Sequence, residues 1–257
     1  MLTIKDINVG YEGTTVLHAI NAQFEPGTLT ALVGPNGTGK SSLLKAMAGL
    51  IPSEGAVRLG DTSLSPNKRL EEIAYMPQDT GAQSSLTVLE VVLLGRLRSL
   101  GLRVGDDIRA QAVAALKRFK LEDFQNRAVG ALSGGQRQLV FLAQSLFRGP
   151  EVLLLDEPTA ALDLRHQLVV LERIVETCHA NGMIAVAAMH DLTLAARFAD
   201  RIVFLHDGNV AADGSPALVL TSAILEQVYR VHAEVQPGPS GALHVSPVRA
   251  LNDTATR

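Results

Sequence analysis

Gly34-Pro35-Asn36-Gly37-Thr38-Gly39-Lys40-Ser41 sets glycines, a lysine and a serine in the spacing G-x-x-x-x-G-K-S. Glycines let a backbone wrap closely enough for its N–H groups to point at phosphate oxygens. A helix starting near Lys40 would add the positive end of its dipole. From that position Lys40 reaches β- and γ-phosphates as a point charge, and the Ser41 hydroxyl can ligate Mg²⁺. The segment follows the apolar run Leu29–Val33 and precedes KSSLLKAMAGL, whose Leu43, Leu44, Met47 and Leu50 have helical spacing. That strand–loop–helix setting is what the chemistry needs, and it favours nucleotide binding over a chance Gly-rich turn.

Two further segments could act on a bound nucleotide. The apolar strand Val152-Leu153-Leu154-Leu155 ends in Asp156-Glu157. Ligands of open α/β sheets sit at strand ends, and consecutive strand residues point to opposite faces. Asp156 then suits a Mg²⁺ shell, while Glu157 suits orienting and deprotonating an attacking water. Capping of a following helix is the other use of such a pair. Leu132-Ser133-Gly134-Gly135-Gln136 precedes another helix and, taken alone, reads as an N-cap with a flexible turn. Its Ser hydroxyl, free glycine amides and helix N-terminus would also make a second phosphate-binding end. One nucleotide has no need of two such ends on one chain, but two chains arranged head to tail could use both.

The elements that position these residues follow from periodicity. LTIKDINV (Leu2–Val9) alternates apolar and polar residues, a turn falls at Tyr11–Gly13, and a second alternating run reaches Phe24. Strands joined by tight turns predict an antiparallel β piece near the N-terminus. Gly49 and Pro52 stop the helix after the cradle. A strand pair is expected at Gly55–Leu59 and Ile73–Met76. From Thr87 to about Lys120 the pattern is helical, an inserted helical block. Helix 136–147, strand 151–155, helix 164–180, strand 184–189, a short helix and strand 202–206 then imply parallel βαβ units. One more helix, near 222–230, precedes a Pro/Gly-rich end, and 252–257 reads as a frayed tail.

Composition narrows the class of function. The 257 residues (27.3 kDa) are 47% hydrophobic and 19% charged with net charge −3, and they include no Trp, three Tyr and seven Phe. Nucleic-acid binders show a basic footprint or stacking aromatics, so no nucleic-acid partner is expected. Cys178 is the one cysteine, which excludes an intrachain disulfide and disfavours a zinc cluster. MLTIKDINVGY lacks the pattern of a signal peptide, and no stretch reaches the roughly 18 apolar residues of a spanning helix. A membrane role would come through a partner.

In this order and spacing the phosphate cradle, LSGGQ at 132–136 and LLLDEPTAALD at 153–163 resemble the ATPase domains of ABC transporters. The resemblance covers Met1 to about Gly238. It implies an α/β fold: a P-loop NTPase core with a mostly parallel sheet, an N-terminal antiparallel β subdomain and an inserted helical subdomain at about 80–148, with 239–257 as a tail. It implies ATP and Mg²⁺ as cofactors, and a homodimer or paired ATPase subunit in which Ser133–Gln136 closes over the partner's ATP. By resemblance Tyr11 stacks on adenine, and Gly34 to Ser42 contacts the phosphates. Gln78 senses Mg²⁺ and water, Asp163 signals across the dimer, and His190 contacts the γ-phosphate. Each has a plainer use as well: Tyr11 covering a sheet edge, Gln78 as a polar residue after Pro77, Asp163 as a helix cap, His190 as an unremarkable strand-end histidine. Ser42 and Ala160 depart from the Thr and Ser of many relatives; only the hydroxyl missing at Ala160 touches cross-dimer signalling.

Further implications are permease subunits in the membrane, an indirectly engaged substrate-binding protein and a place on the cytoplasmic face of the inner membrane. TVLEVVLLGRLRSLG and the segment from Ile224 onward resemble the branch that imports iron-siderophore, haem and cobalamin complexes. An exporter ATPase, or a soluble ABC-type ATPase such as one of cluster assembly, stands as the alternative. Val88–Leu94 is expected to line the groove for a membrane subunit.

Overall fold

The central strands read as unbroken apolar runs because both of their faces are covered. In the computed structural model, which describes residues 1–78, 85–96, 104–160, 162–238 and 241–251, the chain opens with β1 (Leu2–Tyr11), β2 (Thr14–Phe24) and β3 (Leu29–Val33). Helix α1 (Lys40–Met47), β4 (Glu54–Leu59), β5 (Thr62–Ser63), α2 (Pro66–Glu72) and β6 (Ile73–Met76) follow. Next come α3 (Val88–Leu94), α4 (Asp106–Arg118), α5 (Gly134–Phe147), β7 (Val152–Asp156), α6 (Leu164–Asn181) and β8 (Ile184–Ala188). The chain continues through α7 (Leu192–Phe198), β9 (Arg201–His206), β10 (Asn209–Gly214), α8 (Pro216–Val219), α9 (Ser222–Tyr229), β11 (Val231–Pro237) and β12 (Leu243–Ala250).

A six-stranded sheet, ordered β10-β9-β3-β8-β7-β6, is parallel except for its edge strand β10. Residues alternate between two cores as the pleat requires. Leu29, Ala31, Val33, Leu153, Leu155, Ala185 and Ala187 face the helices α3 to α6. Leu32, Val152, Leu154, Ile184, Val186 and Ala188 face the antiparallel sheet β2-β1-β4-β5 and α1, whose Leu43, Leu44 and Met47 fill the space between. The carboxyl ends of β3, β7 and β8 therefore open on one edge.

The strand pairing differs from expectation. Gly55–Leu59 and Ile73–Met76 are strands but not a pair: β4 joins β1 and β5, while β6 lies parallel to β7. Between them α2 starts on the cap Ser65 with Pro66 at its first turn, a start signal that the periodicity alone does not reveal. The Pro/Gly-rich end is a hairpin, β11–β12, so the expected boundary at 238 falls at its turn. Val245 N–H donates to Thr193 Oγ1 (3.3 Å) and Ser222 Oγ to the Ala233 carbonyl (2.7 Å), fixing the hairpin to α7 and α9. The anticipated frayed end at 252–257, like part of the helical block at 79–84 and 97–103, lies outside the described residues.

Val88–Leu94 does not line the expected docking groove. Val88, Leu89, Val91 and Val92 are all buried, so α3 turns its apolar face into the core rather than towards a partner. A capping box, with Thr87 accepting from the Glu90 N–H and Glu90 accepting from Thr87 N–H, sets that orientation. Leu94 at the end of α3 stays exposed, as does Leu86 just before its cap. Among the described residues no helix is long and apolar enough to cross a membrane.

Candidate active site

The cradle leaves β3 at Gly34, where φ is 152° and a Cβ would stand 2.3 Å from the Leu205 carbonyl oxygen. Only glycine lets the chain leave the sheet so close to β9. The loop then closes on itself: Thr38 Oγ1 donates to the Pro35 carbonyl (2.9 Å) and α1 begins after a left-handed Gly39. Lys40 is buried, its Nζ donating to the carbonyls of Gly34 (2.7 Å) and Pro35 (2.9 Å). Burial lowers its pKa, and the nearby charges of Glu157 and Asp156 oppose that shift. Tyr11 reaches the same loop, its hydroxyl 3.2 Å from Ser42 Oγ.

Asp156, the last residue of β7, and Glu157, just beyond it, take different partners. Ser41 Oγ donates to Asp156 Oδ1 (2.8 Å), and Tyr75 OH donates to Asp156 Oδ2 (3.1 Å). Burial first, and then the Asp156 charge, push the Tyr75 phenol far above its usual range, so it stays a proton donor. The hydroxyl of Ser41 and the carboxylate of Asp156 form a converging hard-oxygen pair that fits Mg²⁺. Among the described residues no cluster of three or more His, Cys, Asp or Glu could hold a metal. A cation here would complete its shell with phosphate and water oxygens, as Mg²⁺ commonly does.

Glu157 directly follows Asp156 and is gripped from two sides. Gln78 Nε2 donates to its Oε2 (2.6 Å), and His190 Nε2 stands 2.5 Å from its Oε1. The histidine follows β8, and Asp191 beside it caps α7 by accepting from Leu194 N–H. Glu157 has φ 51°, a left-handed conformation for a residue with a side chain, which turns the carboxylate out of the β7 line.

Thus Tyr11, the loop from Gly34 to Ser42, Gln78, Asp156, Glu157 and His190 come together in one cleft. Ser133–Gln136 and Asp163 do not join them. Ser133 caps α5 in a reciprocal box with Gln136, and Gly135 lies against Leu162 and His166. Asp163 caps α6 and accepts from His166 N–H, which holds its carboxyl below the usual range. Among the described residues no hydrogen bond links Ser133–Gln136 to the cradle. Periodicity misses Tyr75 and Gln138. Tyr75 sits three residues before Gln78 on a strand ending at the cleft, and that placement is a readable signal; a glutamine inside an amphipathic helix offers none.

The arrangement is that of a P-loop nucleotide site at the carboxyl edge of a parallel sheet. Residues 17–160 match the family model for ABC transporters. A hemin import ATP-binding protein of Rhodopseudomonas palustris strain HaA2 is 40% identical over 247 residues, covering 91% of this chain and 92% of that protein. A chain of an inward-facing "metal-chelate type ABC transporter" superposes with a TM-score of 0.83 at 25% identity, covering 96% of this chain and 97% of that one. The ATP-binding cassette MJ0796, a dimer in a post-hydrolysis state bound to ADP and Pi, has a TM-score of 0.76 at 29% identity over 84% of this chain and 99% of its own. The chain belongs to the ABC transporter family.

Proposed function

We propose that the chain binds MgATP, hydrolyses it, and works in pairs as the peripheral motor of a membrane importer of metal chelates of the haem and siderophore kind. The carrying observation is the pair of grips on adjacent residues: Gln78 and His190 hold the two carboxylate oxygens of Glu157, while Ser41 bonds its neighbour Asp156.

Gly34 to Ser42 bind the triphosphate through backbone N–H groups, Lys40 and the α1 N-terminus. Ser41 and Asp156 would hold Mg²⁺, which would supply charge neutralisation for the phosphates. Glu157 takes the proton of the attacking water, Gln78 keeps its carboxylate in place, and His190 is positioned to contact the γ-phosphate. Tyr11 covers the adenine side. The separate position of Ser133–Gln136 supports the pairing, since these residues need a second chain to meet a nucleotide; the ADP- and Pi-bound dimer of the related MJ0796 cassette supports the same geometry. Tighter ATP binding to the closed pair than to the open one is what moves permease subunits. The haem-importer relative and the metal-chelate transporter support the cargo class and a site at the cytoplasmic face of the membrane, with a substrate-binding protein engaged only through the permease.

The test is ATPase activity after reconstitution with candidate permeases in liposomes, with and without a haem- or siderophore-loaded binding protein. Stimulation by the loaded protein is expected. Turnover indifferent to every such partner would overturn the import reading.

A further inference from the structure

Gln138 lies on α5, five residues beyond the cap Ser133, and is 7% exposed. Its Nε2 donates to the Pro158 carbonyl (2.7 Å) and to the Glu157 carbonyl (3.3 Å). The Glu157 carbonyl accepts one further bond, from Ala160 N–H (3.1 Å). One side-chain amide therefore grips both carbonyls that flank the Pro158 residue, immediately after the proposed base.

That grip acts on a backbone in need of it. Glu157 holds φ 51°, and a following proline ring itself pushes the preceding residue towards extended conformations. A side-chain-bearing residue persists in such a conformation only where its surroundings over-determine it. The carboxylate contacts to Gln78 and His190 depend on where this turn aims the Glu157 side chain. A displacement of about 1 Å at a reacting group can cost about 100-fold in rate.

We propose that Gln138 is a positioning residue for hydrolysis. It ties the backbone of Glu157 to the helix that begins with Ser133–Gln136. The inference rests on the hydrolytic reading of Glu157 given above. Its consequence is directional: α5 carries the residues that meet the partner's nucleotide at its first turn, and the clamp on this chain's own base one turn later. Engagement of Ser133–Gln136 at one ATP site is thereby passed through Gln138 to Glu157 at the other.

The experiment compares wild type, Gln138→Met and Gln138→Glu as full-length chains in one phosphate-release assay. Gln138→Met keeps the volume and removes the donor. Its kcat is expected to fall about 10- to 100-fold with KM for MgATP within about threefold, while fluorescent-ATP affinity and melting temperature stay near wild type. In Gln138→Glu an ionised carboxylate would face two carbonyl oxygens and cannot donate, whereas its protonated form can. The ratio of this variant's kcat to wild type is therefore expected to rise as pH falls from about 8 to about 6. A role limited to packing would leave that ratio flat, so the second variant decides the matter if Gln138→Met folds poorly. Wild-type kcat in Gln138→Met, or a flat ratio in Gln138→Glu, overturns the proposal. A wild type that releases no phosphate overturns the hydrolytic reading itself.

Discussion

Replacing Gly34 by alanine directs a methyl group at the backbone of β9. The Cβ of Gly34→Ala would stand 2.3 Å from the Leu205 carbonyl oxygen and 3.0 Å from Thr38 Oγ1 at φ 152°. The nearer neighbour belongs to the strand paired with β3 at Val33–Phe204, so relief requires the two strands to part. A side chain in that glycine-only region costs about 1–3 kcal/mol, and forcing a filled site open costs about 1–3 kcal/mol more. The sum is about 4 kcal/mol, or about 8–16 °C in melting temperature for a domain of this size. Gly37 is the internal control: φ is 84° and the methyl group of Gly37→Ala would have no neighbour within 4 Å. Gly37→Ala carries only the left-handed backbone cost, about 1–2 kcal/mol or about 2–8 °C. Equilibrium urea unfolding and calorimetry of both variants without nucleotide read the difference. Equal midpoints for Gly34→Ala and Gly37→Ala would refute the claim that close strand approach, rather than backbone conformation alone, makes Gly34 a glycine.

Tyr75→Phe removes the donor to Asp156 Oδ2 and is expected to raise the Mg²⁺ concentration for half-maximal ATPase about 10-fold, with little effect at saturating Mg²⁺; an unchanged Mg²⁺ titration would contradict it. Burial, with the Asp200 charge adding to it, pushes the Cys178 thiol from 9.0 up to about 12. Between those values the unfolded chain binds fewer protons than the folded one, so stability falls as pH rises, by up to about 1.4 kcal/mol per pH unit for this group. Cys178→Ala should therefore flatten the alkaline limb of a urea-midpoint profile above about pH 9, and an equally steep limb would exclude that contribution.

What can be read from the residues alone depends on how far each interaction reaches along the chain. Gly34–Ser41 and Asp156–Glu157 announce themselves because backbone wrapping, strand periodicity and charge are local properties. Their meeting through Ser41 and Asp156, 115 positions apart, follows once β3 and β7 lie in one parallel sheet. Gln138 is invisible in the sequence, since its task depends on the backbone of residues 157 and 158 reaching α5 in three dimensions. Val88–Leu94 misleads when apolar content is counted without its spacing: 88, 89, 91 and 92 share one helical face, which a core can bury. The β11–β12 hairpin escapes notice because Pro237, Gly238 and Gly241 read as loop, whereas they bound a turn between strands that alternate.

Hydrolysis at Glu157 is read out by single-turnover phosphate release from wild type and Glu157→Gln. Glu157→Gln is expected to bind MgATP with wild-type affinity, to release phosphate at least about 100-fold more slowly, and to accumulate as an ATP-bound dimer on size exclusion. Phosphate release by Glu157→Gln at a near wild-type rate would exclude Glu157 as the base.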